Sequence, residues 1–249
     1  MSNYCGEMGT LHSGEIYRYS REKNPSTESE DGLRNFYFET ALMGLPKPSL
    51  ESGISQIAKT PRSLSNSKFP AILISSSPHK GGTEWNPWHD VFAPDLGYVR
   101  YFGDAKGSTD PSLVSGNKIL LSQLKLHLSG NKADRLMATP LVFFERVAVD
   151  GRVKGNVKFH GFGLIERAEL VSQFNSKIGY FTNYEFSLAV LSLAEENEKL
   201  SWDWINARRD ANISDEESLK LAPASWRRWV RDGKIEGVRR RAALSKITP

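Results

Sequence analysis

The reading of the fold turns on one stretch: His79-Lys80-Gly81-Gly82-Thr83, then Trp85-Asn86-Pro87-Trp88-His89-Asp90, then Pro94-Asp95-Leu96-Gly97-Tyr98-Val99-Arg100-Tyr101-Phe102-Gly103-Asp104-Ala105-Lys106. It packs aromatics, carboxylates, glycines and basic residues into a short span. Tyr98 to Phe102 is β-prone and bounded by Gly97 and Gly103, which predicts a strand. Alternation along it sets Val99 and Tyr101 on one face, and Tyr98, Arg100 and Phe102 on the other. Two machines fit such parts: a metal-dependent nuclease centre, and an aromatic pocket that grips a base turned out of DNA.

The nuclease reading uses Asp95, Asp104 and Lys106. Two carboxylates would hold Mg²⁺ and the lysine would orient or activate the attacking water. Chance readily places a Pro-Asp pair near an Asp-x-Lys triplet. Asp95-Leu96-Gly97 and Gly103-Asp104 also read as turns at the two ends of a strand. The pocket reading needs flat side chains to sandwich a base and a polar group on its edge. For cytosine that group should accept a hydrogen bond from the exocyclic amine, which a carboxylate does best. Trp88, Asp90 and Tyr101 supply these parts, with Trp85, Tyr98 and Phe102 as substitutes. Any one of these aromatics alone would be assigned to the core; the cluster with a carboxylate favours a pocket.

Outward from this block, Ala71-Ile72-Leu73-Ile74 is a short apolar run between Pro70 and a serine cluster, and predicts a buried strand. Downstream, Gly116 to Leu128 carries Ile119, Leu120, Leu124 and Leu128 at helical spacing, and Ser129-Gly130-Asn131 stops it. Thr139 to Val149 is a strand, with hairpin chemistry at Asp150-Gly151. Val157 to Val171 reads as strand broken by Gly161 and Gly163. Asn183 to Val190 alternates, with Tyr184, Phe186, Leu188 and Val190 on one face. Before the block, a strand is expected around Glu15 to Tyr19 and a long irregular connection from Lys47 to Pro70. After Leu193, Trp202, Ile205 and Arg208 mark a helix. A second opens at Pro223, carries Trp226, Trp229 and Val230, and closes at Gly233.

Among 249 residues, 39% are hydrophobic and 25% charged, as in ordinary globular domains. No run approaches the ~18–20 apolar residues of a membrane span, and the start lacks a secretory pattern. The single cysteine, Cys5, forms no internal disulfide, and no Cys/His cluster has zinc spacing. A cytoplasmic protein is expected. Residues 225–249 hold eight of the 33 basic residues and two of the 29 acidic ones. The rest therefore carries 25 basic against 27 acidic residues, a net of −2. If the body binds DNA, it must do so through a local patch.

The block also resembles the N-terminal recognition domain of AspBHI-type modification-dependent restriction endonucleases, relatives of MspJI. It is similar in turn to the SET- and RING-associated (SRA) domains that flip 5-methylcytosine. The residues that carry the likeness are His79 to Thr83, Asn86 to Asp90, Pro94 to Lys106, and Gly116-Asn117-Lys118. The likeness extends from about Ala71 to Leu193. It implies an α+β, SRA/PUA-like twisted β-barrel with flanking helices and a short C-terminal helical segment. The parts would be an N-terminal extension and loop at 1–70, a recognition core at 71–193, and a basic helical connector at 194–249 leading to a nuclease domain. It implies duplex DNA carrying modified cytosine, most concretely 5-methylcytosine, as partner, with oligomerisation through a parent protein. Asp90 matches the carboxylate on the base edge and Tyr101 a stacking aromatic; Trp88 is the other. Lys80, Arg100, Lys106 and Lys118 are expected at phosphates, with Thr83 and Asn86 beside them; Gly81, Gly82, Gly103 and Gly107 let backbone approach DNA. Lys59, Arg62 and Lys68 would reach a groove from the long loop. No cofactor is expected for the domain, and Mg²⁺ only for a separate nuclease domain. No nuclease motif follows Leu193, so this chain is read as a non-catalytic reader. A PUA-like RNA-binding module is the remaining alternative.

Overall fold

The computed structural model describes residues 9–19, 32–42, 46–50, 52–58, 69–83, 87–107, 109–151 and 154–241. Trp85, Asn86, Lys59, Arg62 and Lys68 lie outside them. The described strands are β1 (Thr10–His12), β2 (Ile16–Arg18), β3 (Ile54–Gln56), β4 (Ile72–Ser76), β5 (Val91–Ala93), β6 (Tyr98–Phe102), β7 (Leu141–Arg146), β8 (Asn156–Asn175), β9 (Gly179–Val190) and β10 (Lys199–Ser201). The helices are α1 (Phe36–Glu39), α2 (Ser115–His127), α3 (Lys132–Met137), α4 (Trp202–Arg209), α5 (Asp215–Lys220) and α6 (Ala224–Asp232). The class is α+β, as expected.

One sheet runs β3-β4-β7-β8-β9-β6-β5, with β2 paired to the start of β8. Only β4 and β7 are parallel; the other pairs are antiparallel. Among the described residues no pairing joins β3 to β5. The all-apolar reading of Ala71–Ile74 is explained by its place: β4 is interior and buried throughout. The break expected at Gly161 and Gly163 does not occur, because β8 continues for 20 residues. Gly161 instead forms a bulge at φ 113°, where the register with β7 skips His160.

Apolar clusters lie on both faces of the sheet. One joins Ile72, Ile74, Val99, Tyr101, Phe143, Phe186, Leu188 and Val190 to Leu120 of α2. The other joins Leu73, Val142, Phe144, Phe162 and Leu164 to Tyr17, Phe36, Trp202, Trp204, Trp226 and Trp229. This packing joins residues from all three expected parts of the chain, 1–70, 71–193 and 194–249. Truncating one of these indoles to alanine should cost about 3–5 kcal/mol.

Helix α2 packs Leu120, with Ile119, Leu121 and Leu124, on the core as expected, but its buried residues also include Gly116, Asn117, Gln123 and His127, while Leu128 is 54% exposed. The reason is local: backbone groups face this helix and need polar partners. Gln123 accepts the N–H of Thr139 (2.9 Å), and His127 lies between the N–H of Ile165 and the C=O of Thr139 (2.9 Å each).

Helix α6 follows Pro223 and ends on left-handed Gly233, as expected. The arginines beyond it are committed to structure. Arg239 binds Glu166, Glu236 and the carbonyl of Gly97; Arg240 meets Asp95 and Glu198 at 3.4 and 3.3 Å. Arg227, Arg228 and Arg231 are likewise held, by Ala222, Glu195 and Asp232.

Candidate nucleic-acid interface

At the Phe102 end of β6 the chain leaves a cavity of about 520 Å³. Ser52, Gly53, Ser75, Trp88, Asp90, Tyr101, Phe102, Asp104, Lys106 and Arg146 are among its walls. The three residues predicted for a base pocket, Trp88, Asp90 and Tyr101, are thus brought together. Of the expected phosphate contacts, Lys80 and Lys106 also line it. The volume falls within the range of about 300–1,000 Å³ typical of small-ligand sites. A recess of about 70 Å³, lined by Ser76, Ser77, Pro78, Gly81, Trp88, His89 and Asp90, adjoins it through shared walls.

Tyr101 and Phe102 point to opposite faces of β6, yet both reach the cavity because the strand ends there. Tyr101 belongs to the core for most of its surface and is 4% exposed. Its hydroxyl donates to the carbonyl of Ser75 at 3.5 Å. Burial pushes this phenol well above its ordinary range, with Asp90 and Asp104 acting the same way. It is therefore a neutral wall at any ordinary pH. Trp88 is half-buried, with the Lys106 ammonium 5.3 Å from its ring centroid.

Asp90 carries the site's main electrostatic feature. Its Oδ1 accepts the N–H of Phe102 at 3.0 Å and its Oδ2 the hydroxyl of Ser76 at 2.7 Å. Burial raises its pKa to about 6, although these two bonds and the charges of Arg100 and His89 oppose the rise. Each carboxylate oxygen has two acceptor sites, so capacity for a further donor remains.

The turn carrying Asp104 and Lys106 is fixed by two buried asparagines. Asn117 accepts the N–H of Asp104 (2.9 Å) and donates to the carbonyl of Pro111 (2.8 Å) and to Asn183 Oδ1 (3.2 Å). Asn183 accepts from Ala105 (3.3 Å) and donates to Gly103 (2.8 Å) and to Gln173 (3.0 Å). Any Cβ on Gly103 would stand 1.8 Å from Asn117 Oδ1, so only glycine admits this contact. Asp104 is itself raised, first by burial, with Lys106 and the N–H of Gly116 opposing. The Gly-Asn-Lys start of α2 therefore builds the pocket rim from behind.

The other predicted residues take simpler places. Gly81 and left-handed Gly82 form a turn against the His89 ring, which a Cβ on Gly82 would meet at 2.6 Å. Thr83 donates to the carbonyl of Lys80 (2.7 Å). Arg100 lies over the Phe102 ring (5.7 Å) and is not a cavity wall; Lys118 is exposed on the first turn of α2. Gly107 has open space around its Cβ position.

Sequence reasoning missed Arg146, Ser52, Gly53 and Ser75 in the walls. It also missed a ribbon: β8 and β9 run on past the Gly103 turn, roughly 17 Å at strand rise. Leu170, Phe174, Ile178 and Tyr180 are exposed on it, and Phe174 packs edge-on against Tyr180. The β-prone run from Tyr180 to Tyr184 was the available signal.

The candidate nuclease triad is separated. Asp95 lies before β6, 79% exposed beside Arg240, whereas Asp104 and Lys106 follow its far end. Five strand residues, roughly 17 Å, intervene. Among the described residues no three His, Cys, Asp or Glu side chains cluster to hold a metal ion, and no helix is long and apolar enough to cross a membrane.

Comparison with known families matches residues 13–240 to the family described as restriction endonuclease AspBHI N-terminal. Among solved structures, MspJI restriction endonuclease in complex with a 27-mer oligonucleotide is similar at TM-score 0.83 and 38% identity, over 98% of this chain and 56% of that one. The chain thus spans little more than half of that relative. The DNA recognition domain of the cytosine modification-dependent endonuclease LpnPI is similar at TM-score 0.66 and 16% identity, over 96% and 94% of the two chains. The DNA modification-dependent endonuclease AspBHI is similar at TM-score 0.58 and 17% identity, over 94% of each. These last two speak for the fold alone. Curated protein sequences contain no match.

Proposed function

The chain belongs to the restriction endonuclease AspBHI N-terminal family, and on that premise we propose that it reads modified cytosine in duplex DNA. The base, most concretely 5-methylcytosine, is held outside the stack in the cavity at the end of β6. Asp90 accepts from the exocyclic amine, and Trp88 and Tyr101 supply the aromatic walls. The observation that carries the reading is the convergence of these three side chains on one cavity, with Lys80, Lys106 and Arg146 at its walls. These cations provide the local positive patch that a body of net charge −2 needs. A duplex seated over the cavity would also meet the β8–β9 ribbon.

Cutting belongs to a separate, Mg²⁺-dependent nuclease domain of a longer parent protein, with this chain as its specificity part. Binding itself needs no cofactor. The test compares matched duplexes with and without 5-methylcytosine, using wild type and Asp90→Ala. Preference for the modified duplex that is lost in Asp90→Ala supports the reading. Equal binding of both duplexes by wild type, or a preference for structured RNA, would overturn it.

A further inference from the structure

We propose that Ser76 is a positioning residue for Asp90: its hydroxyl fixes the carboxylate across the cavity wall and holds it in the ionised form that accepts the base amine. This rests on the reading of the cavity as a base pocket. Ser76 is the last residue of β4, 3% exposed, and stands 14 positions before Asp90 in the chain. Its Oγ donates to Oδ2 at 2.7 Å while the Phe102 N–H donates to Oδ1 at 3.0 Å. The two donors come from different strands, β4 and β6, and pin both oxygens, so the carboxylate plane cannot turn. The backbone donor cannot be removed by a side-chain change. Ser76 is the adjustable one.

The charged surroundings of Asp90 are mixed. Arg100 and His89 favour its ionised form, while burial disfavours it. Lys80, Lys106, Arg146 and Asp104 share the cavity, and the Tyr101 phenol forms part of its wall. Glu145, paired with Ser76 across β4 and β7, is turned to His160 at 2.8 Å. With Asp90 at about 6, loss of the Ser76 donor raises it further, because a hydrogen bond to the charged form is removed. A neutral acid accepts more weakly than a carboxylate. The affinity of the protein for its base should therefore depend on pH, with a midpoint that Ser76 sets.

Two measurements test this. Carboxyl ¹³C NMR on the free protein follows the titration of Asp90 in wild type, Ser76→Ala and Ser76→Thr. Fluorescence anisotropy follows binding of a 5-methylcytosine duplex between pH 5.5 and 8.5. In Ser76→Ala the titration midpoint and the binding midpoint both move to higher pH. For a midpoint raised by about one pH unit, its affinity at pH 6.5 falls by about threefold, as the ionised fraction drops from about three-quarters to about one-quarter, and at pH 8.5 it approaches wild type; Ser76→Thr restores both midpoints. An unmoved carboxyl midpoint, or an affinity loss equal at every pH, overturns the proposal. Equal binding of modified and unmodified duplex by wild type would overturn the reading of the site, and the NMR titration would still decide the coupling of Ser76 to Asp90.

Discussion

Asn117 and Asn183, 66 residues apart in the chain and both fully buried, meet at 3.2 Å behind the Gly103–Ala105 turn. One opens α2 and the other lies in β9, so the pocket rim is fastened to a helix and to the central sheet at once. The remaining donors and acceptors of both side chains are used on backbone groups of the turn and its neighbours, apart from one bond to Gln173. Such a network is costly to open, because each lost partner strands a buried polar group.

Asn183→Ala should therefore destabilise the fold by about 2–3 kcal/mol and weaken duplex binding, since Asp104 and Lys106 ride on the freed turn. Gly103→Ala should act in the same direction through the 1.8 Å overlap with Asn117. Urea midpoints give the stability change. If Asn183→Ala unfolds at the wild-type midpoint, the turn is not held by this network.

Asp90 sets a pH dependence of stability. Its folded pKa, about 6, lies above the ordinary 3.8. Its favourable contribution is complete below 3.8 and lost as pH rises through 6. Asp90→Asn removes that loss and should be more stable than wild type at pH 8, by on the order of 2 kcal/mol, while matching it more closely at pH 4.5. Urea unfolding at the two pH values reads this. An Asn variant less stable than wild type at pH 8 would contradict it.

His127 acts with the opposite sign. Burial lowers it to about 4 from 6.5, with Arg208 in the same sense and its bond to Thr139 opposing. The N–H of Ile165 points at Nδ1, so Nε2 carries the proton and donates to Thr139. Stability from this neutral ring is complete above pH 6.5 and lost as pH falls toward 4, on the order of 3 kcal/mol. His127→Phe should flatten that fall while costing about 2–4 kcal/mol at pH 7 for two stranded backbone groups. A ¹⁵N spectrum with the proton on Nδ1 would refute the assignment.

Lys106 and Lys118 separate rim from surface. Lys106→Gln should weaken binding to modified and unmodified duplex alike and lower the salt slope by about one. Lys118→Gln, altering an exposed residue outside the cavity walls, should do so only if phosphate reaches the start of α2. Affinities at several salt concentrations distinguish them. A Lys106→Gln variant with an unchanged slope would remove that lysine from the DNA path.

Sequence alone determined the local devices: the buried β4 run, the Tyr98–Phe102 strand between its glycines, and the Pro223 and Gly233 ends of α6. Each is written in a few adjacent residues, as alternation, turn chemistry or an apolar run, and local chain geometry enforces it. Tertiary structure alone decided what faces each device. It brought Ser76 to Asp90, Asn183 to the Gly103 turn and Arg146 to the cavity wall. It turned α2 to bury polar side chains against strand backbone. Periodicity reports which face of an element is covered, but a hydrogen-bond partner 14 or 80 residues away is chosen by strand pairing and by the need to satisfy buried polar groups.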